Sequence, residues 1–332
     1  MSSSPIAVLG AGNMASALAL HLARLKQPVR LYCIEQDVHE EMLHDRCNSK
    51  YLAGHRFPNN VTTSPNLATV LTGATSIWIA VPSFAVGPLL QQVIPHLTPD
   101  TLLISLSKGL DATTGMPLIE REAQMLPKRF QTACCTIGGP AIANEMAKGS
   151  PTAFVIAGRN KRATQTAAHM LQTDTVKAET STDRIGVGLC SALKNVYAIG
   201  LGLCDGLQYP TNAKALLLTL AIEELATLVE KSGGRRETAF GLAGLGDLMV
   251  SGMSLHGRNR TYGERLAAAT TNDPQALGLG TVEGIAAAHA ARPLLKRLRK
   301  RAPLLEAILD VLAAKKNFVR PFESYMKELR LS

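Results

Sequence analysis

The sequence predicts an α/β chain: a doubly wound, mostly parallel sheet followed by an all-helical domain. Three observations predict it. From residue 5 to about 180, short apolar, β-branched runs alternate with helical stretches. The turn Gly10-Ala-Gly12-Asn13-Met14-Ala15 joins the first such run to the first helical stretch. From Ile185 onward the strand signal stops and alanine- and leucine-rich helical segments take over. Alternation of this kind builds parallel sheets, because each crossover helix returns the chain to the same end of the sheet, so that the next strand runs in the same direction. The domains are therefore expected at 1–185 and 186–332.

Taken in order, the expected strands are Ile6–Leu9, Val29–Cys33, Val61–Thr63, Ser76–Val81, Thr101–Ser105, Thr132–Ile137, Ala153–Ala157 and Thr175–Ala178. Helices are expected between them, among others over Ala15–Leu25, Phe84–Leu97 and Ala163–Leu171. The helical half contains the segment from Gly188 to Leu207, apolar nearly all round and so predicted to be buried. Lys194 interrupts it. A buried ammonium is costly unless its protons are accepted, and desolvation lowers its pKa towards the range of a useful base. The alternative is a lysine whose stem lies along apolar surface while its head reaches water.

Composition bounds the function classes. The chain has 332 residues, 46% of them hydrophobic, enough for two packed domains and too many for wholesale disorder. The long uncharged stretch from Val61 to Pro99 is broken by four prolines and is not a membrane span. Strand-forming residues begin at Ile6, which leaves no room for a signal peptide and predicts a cytoplasmic protein. The six cysteines form no C-x-x-C pair and no zinc spacing, so they read as reduced and structural, and no metal is expected. The net charge of +9 owes much to Arg292, Lys296, Arg297, Arg299, Lys300 and Arg301. No aromatic interleaving or nucleic-acid motif accompanies that cluster. It reads as a solvated helix face, with neither nucleic acid nor membrane as partner.

The glycine turn has the form G-x-G-x-x-A in the context a dinucleotide fingerprint requires, after a strand and opening a helix. Gly10 makes the tight turn, Gly12 admits a pyrophosphate to the backbone, and Ala15 lets helix and strand pack closely. The first domain is thus expected to be Rossmann-type, with phosphate on the helix N-terminus. An acidic residue is due about 20 positions later to hold the ribose hydroxyls. Glu35 stands there, and with Asp37 beside it and no cation until Arg46 the local sequence favours NADH over NADPH.

These residues resemble the bacterial-type NAD(P)-dependent glycerol-3-phosphate dehydrogenases over nearly the whole chain. The resemblance rests on Gly10-Ala-Gly12, Tyr51-Leu-Ala-Gly54, Ala80-Val-Pro-Ser83, Lys108-Gly-Leu110, Gly139-Pro140 with Glu145, and Pro151-Thr-Ala153. It continues through Ile185-Gly-Val187, Ala192-Leu-Lys194-Asn195, Asp205-Gly-Leu207, Asn212-Ala213, Gly241-Leu-Ala-Gly-Leu-Gly-Asp247-Leu248, Arg258-Asn-Arg260 and Glu283-Gly284. It implies reversible hydride transfer between NAD(P)H and dihydroxyacetone phosphate, giving sn-glycerol 3-phosphate for phospholipid synthesis. By position it implies Lys194 and Asp247 as the catalytic pair, with Lys108, Gly139, Ala141, Arg258 and Asn259 also at the substrate. On the cofactor it implies Gly10, Gly12, Asn13, Met14, Glu35, Lys108, Ala143, Arg258 and Glu283. A homodimer is compatible with it.

The sequence also departs from the family. Asn13-Met14-Ala15 stands where S-W-G is usual, and Gly138-Gly-Pro-Ala141-Ile-Ala143 replaces S-G-P-S-F-A, removing two hydroxyls near the substrate. Gly188, Leu220 and Gly257 replace a glutamate, an arginine and a serine. Two readings therefore stand beside the first: a related dehydrogenase for another small phosphorylated or 2-oxo compound, and a paralogue that binds dinucleotide without turnover.

Overall fold

The structure, a computed structural model, describes residues 4–255, 257–299 and 301–329. Its strands are β1 (Ile6–Leu9), β2 (Val29–Tyr32), β3 (Val61–Ser64), β4 (Ser76–Ile79), β5 (Leu102–Ser105), β6 (Cys134–Gly138), β7 (Thr152–Gly158) and β8 (Val176–Ser181). They form one sheet in the order β3-β2-β1-β4-β5-β6-β7-β8. β1 pairs in parallel with β2 and with β4, and Leu9 lies level with Tyr32 on one side and Ile79 on the other. The strand order reverses at β1, and the crevice beyond the carboxyl ends of β1 and β4 is where such sheets take ligands. β1, β4, β5 and β6 are buried throughout, which is why their sequences run apolar rather than alternating.

Helices differ from the sequence expectation at their ends. The first begins at Asn13 rather than Ala15 and ends at Ala23, so the fingerprint residues after Gly12 are already helical. The helix expected over Phe84–Leu97 runs Ser83–Val93 and then tightens into a 3₁₀ turn, Ile94–His96. Pro95 is the cause, since it offers no N–H to carry the α-helical ladder onward, although Ile94 before it stays in the α region.

The chain forms two compact units. The first contains residues up to Ser107, Ile119–Ile137 and Ala141–Arg184; the second contains Lys108–Leu118, Gly138–Pro140 and the chain from Ile185 onward. Local packing explains why two short segments join the helical unit. Gly115, at φ +68°, lies so close to Leu294 that a Cβ would come within 2.5 Å of its backbone nitrogen. Pro140 lies against Gly246, whose Cβ position is 3.5 Å from the proline ring.

The helix Arg184–Gly206 is the core of the second unit. By length and apolarity it would pass for a membrane span, yet its apolar window is entirely buried inside the protein. The basic cluster ends the helix Glu283–Leu298, with Lys296 and Arg297 in its last turn, where the helix dipole favours cations. Arg292 donates to the Leu309 carbonyl and Arg301 pairs with Glu306; Lys300 lies outside the described residues.

Candidate active site

In the first unit, the glycine turn has the geometry its sequence implies. Gly10 adopts φ +121°, and a Cβ there would lie 2.7 Å from the Ala80 carbonyl oxygen. Around the Cβ position of Gly12 there is open space to 4 Å. Gly12 opens the helix Asn13–Ala23, and no side chain caps it, so the first N–H groups are free for an anion. Ala15 is buried, as close helix–strand packing requires. Asn13 is exposed and Met14 half-buried on the first turn.

Asn48, which sequence reasoning missed, braces this turn from behind. Fully buried, it donates through Nδ2 to the Ala11 carbonyl at 2.8 Å and to Ser16 Oγ at 2.9 Å. Its Oδ1 accepts from the Tyr51 N–H, capping the short helix Ser49–Leu52. An asparagine one residue before a helical run is the signal that was available for it.

Glu35 lies at the expected place, just beyond β2, but not as an isolated carboxylate. Lys50 Nζ stands 2.6 Å from Glu35 Oε2 and 2.9 Å from Asp37 Oδ2, and Tyr51 Oη donates to Glu35 at 2.9 Å. The expectation of no cation near the end of β2 is therefore corrected: Lys50 is there, brought back by the fold. Hydrogen bonding to Lys50 holds Asp37 below its ordinary carboxylate pKa. Ala143, 9% exposed, is packed in a small cluster with Ala17 and Leu52 beside Met14, so its side chain belongs to the core under the nucleotide turn. Ala141 is partly buried against the main core.

In the second unit the structure gathers Lys108, Lys194 and Asp247. Asp247, fully buried, accepts from Lys108 Nζ on Oδ2 at 2.8 Å and from Lys194 Nζ on Oδ1. Lys194 also donates to Ser251 Oγ at 2.7 Å. Ser251 was not anticipated, though it lies one helical turn beyond Asp247 and so on the same face. Burial lowers the Lys194 pKa to about 7; Asp247 opposes that shift and Lys108 reinforces it. Burial alone would raise Asp247, but the two ammonium groups outweigh it and hold the carboxyl below its usual range. The alternative of a lysine head reaching water is thereby overturned: the residue is 6% exposed and its head is held inside.

The chain reaches Asp247 through a single π-helical turn, Leu242–Gly246, a form that recurs at functional sites. Gly244 makes it possible, because any side chain there would collide with the Ala239 backbone. Gly139, buried with φ +131°, follows β6 and belongs to this unit.

Arg258 is the exposed first residue of the helix Arg258–Leu266 and has no hydrogen bond or ion pair among the described residues. Asn259 is otherwise engaged. Its Nδ2 donates to Asn195 Oδ1 and its Oδ1 accepts from the Gly284 N–H, each at 2.9 Å. It thus ties the helix of Lys194 to the start of the helix that Glu283 opens. Arg260, buried, pairs with Asp205 at 2.7 Å and with Glu264 at 3.0 Å, and is structural.

Comparison with known proteins places these residues in context. Residues 5–164 match the model of the NAD-dependent glycerol-3-phosphate dehydrogenase N-terminus, and residues 183–322 that of its C-terminus. The chain is 36% identical to a glycerol-3-phosphate dehydrogenase [NAD(P)+] of Anaeromyxobacter sp. (strain K), covering 92% of each chain. It is 34% identical to that of Thioalkalivibrio sulfidiphilus over 94% of this chain and 93% of the relative. A crystal structure of glycerol-3-phosphate dehydrogenase from Coxiella burnetii superposes with a TM-score of 0.90 at 32% identity, covering 99% of both chains.

Proposed function

The chain belongs to the NAD-dependent glycerol-3-phosphate dehydrogenase family, and on that premise we propose the division of labour among its residues. The protein is an oxidoreductase that interconverts dihydroxyacetone phosphate and sn-glycerol 3-phosphate with an NAD(P) dinucleotide. One observation carries the assignment of residues: Lys194 is buried against Asp247 with its pKa lowered to about 7. An acid–base group for an alcohol–ketone pair needs that poise near neutrality.

The first unit fits a dinucleotide. The open space at Gly12 and the uncapped helix at Asn13 suit its pyrophosphate, with Asn13 and Met14 presenting backbone N–H groups and Gly10 making the turn. Glu35 meets the ribose. Ile34 and Phe84, 74% and 76% exposed beyond the ends of β2 and β4, offer apolar surface to the adenine. When bound, the cofactor supplies hydride in reduction and takes it in oxidation.

The chain's own residues handle the proton. Lys194 Nζ gives it to the substrate C2 oxygen in reduction and removes it in oxidation. Asp247 fixes the ammonium's direction, and Lys108 shares that carboxylate while adding positive charge where an alkoxide develops. Arg258 takes the substrate phosphate, assisted by the N-terminal N–H groups of its helix. Asn259 positions Asn195 rather than reaching for phosphate with both ends of its amide. Gly139 and Ala141 line the substrate with backbone, and Ala143 and Glu283 complete the cofactor side. The cluster at Glu35 keeps a net negative charge, two carboxylates against one ammonium, which favours NADH. The reaction takes place in the cytoplasm and feeds phospholipid synthesis. NADH oxidation on adding dihydroxyacetone phosphate tests the reading: no turnover by purified protein with either nicotinamide cofactor would overturn it.

A further inference from the structure

Asn48 joins two parts of the first unit that are far apart in the chain, the glycine turn and Glu35. Its carboxamide is wholly buried and gives both Nδ2 protons to the turn, to the Ala11 carbonyl at 2.8 Å and to Ser16 Oγ at 2.9 Å. Ser16 Oγ donates in turn to the same Ala11 carbonyl at 3.1 Å. On the other side of the amide, Oδ1 accepts from the Tyr51 N–H at 3.2 Å and so caps the helix Ser49–Leu52. Lys50 and Tyr51 on that helix are the residues that grip Glu35, at 2.6 and 2.9 Å.

A capping asparagine has no need of burial. Asn66 and Asn160 cap their helices from exposed positions, as is usual. Asn48 does the same work with its whole side chain inside, and burying an amide is worthwhile only where every hydrogen bond it makes is needed. The loop around it is held as well: Arg46 donates to the Phe57 and Val61 carbonyls and Glu41 accepts from the Ser49 N–H, each at 2.9 Å. Both ends of the path bear on a ligand. In a planar trans peptide the Ala11 carbonyl and the Gly12 N–H point in opposite directions. Two donors on that carbonyl therefore hold the Gly12 N–H pointing away from Asn48. At the far end the cap fixes the helix from which Lys50 and Tyr51 orient the Glu35 carboxylate.

We propose that Asn48 is the positioning residue of the dinucleotide site, setting the pyrophosphate turn and the ribose carboxylate in register through one buried amide. This rests on the functional reading above, in which Gly12 and its helix take the pyrophosphate and Glu35 the ribose. Asn48 acts through these groups and not on the dinucleotide directly. With both ends preset, a cofactor that engages the two has neither to order on binding. Removing the amide uncouples Glu35 from the cofactor although residues 35 and 48 share only Tyr51 and its helix.

The test is a double-mutant cycle read by NADH titration of the purified full chain. Glu35→Ala should weaken NADH binding by about tenfold in wild type, the loss of one hydrogen bond to a charged group. In Asn48→Ala, which loses brace and cap together, the same change should cost no more than about threefold. Asn48→Ser separates the two roles, because a serine still caps the helix but is too short to reach Ala11. It should bind NADH about tenfold more weakly than wild type while Glu35→Ala again costs about tenfold. This variant also carries the test if Asn48→Ala fails to fold. An equal cost of Glu35→Ala in every background, or an Asn48→Ser variant that binds NADH like wild type, would reduce Asn48 to a prop of the fold. A wild type that binds no NADH would overturn the reading of the first unit itself, and this inference with it.

Discussion

Lys50 Nζ bridges Glu35 Oε2 and Asp37 Oδ2 at 2.6 and 2.9 Å, from a position fifteen residues beyond Glu35 in the chain. A 2′-phosphate approaching Glu35 therefore meets a mixed cluster rather than bare like charge. The cation offsets part of the repulsion on which a preference for NADH depends.

The first prediction follows from that bridge. Wild type should use NADH with higher kcat/KM than NADPH, by a modest factor, because the pair is exposed and screened. Lys50→Ala should widen the preference by up to about fivefold, and Glu35→Ser should narrow it. Paired cofactor titrations at fixed substrate decide the matter. A wild type that prefers NADPH and loses that preference in Lys50→Ala would mean that Lys50 leaves Glu35 for phosphate.

The second concerns Lys194. Lys194→Ala should lower kcat by roughly 10²–10⁴-fold, the usual contribution of a positioned acid–base group, with dinucleotide affinity nearly unchanged. Because reduction needs the ammonium and oxidation the free amine, the two directions should show opposite pH limbs near 7. Reduction should fall and oxidation rise as pH increases through that value. Half of wild-type turnover in the variant would remove Lys194 from the chemistry.

Arg258 gives the third. Arg258→Ala should raise KM for dihydroxyacetone phosphate far more than for unphosphorylated dihydroxyacetone, since a charge-assisted phosphate contact is lost. Equal losses on both would mean that the arginine serves only the fold.

The fourth is a stability prediction at Glu122. This carboxyl, 1% exposed, is met by Ser105 Oγ at 2.8 Å, and burial raises its pKa to about 7. The folded protein thus holds this proton more tightly than the unfolded chain does. Glu122's contribution to stability is full below pH 4.5 and is lost as pH rises through 7. Above that the ionised carboxylate costs on the order of 3 kcal/mol relative to the acid. Glu122→Gln should therefore melt higher than wild type at pH 8 and lose that advantage at pH 5. Parallel melting curves at both pH values would show Glu122 to be charged and solvated.

The sequence by itself determined the sheet, the glycine turn and the buried helix, because each is written in neighbouring residues. The unbroken apolar run of β1, the φ that only Gly10 tolerates easily, and the apolar surround of Lys194 are local facts. It also marked Asp247 and Lys108 as partners of Lys194 through a resemblance, without showing how they meet. Only the tertiary structure decided that one buried carboxylate carries both ammonium groups, and that Ser251 is the third group at Lys194. The fold likewise set Lys50 on Glu35 and Asn48 behind Ala11. The physical reason is the same in each case. Charge and hydrogen bonding act between atoms a few ångströms apart, and the chain brings such atoms together only by folding, at separations no local pattern records.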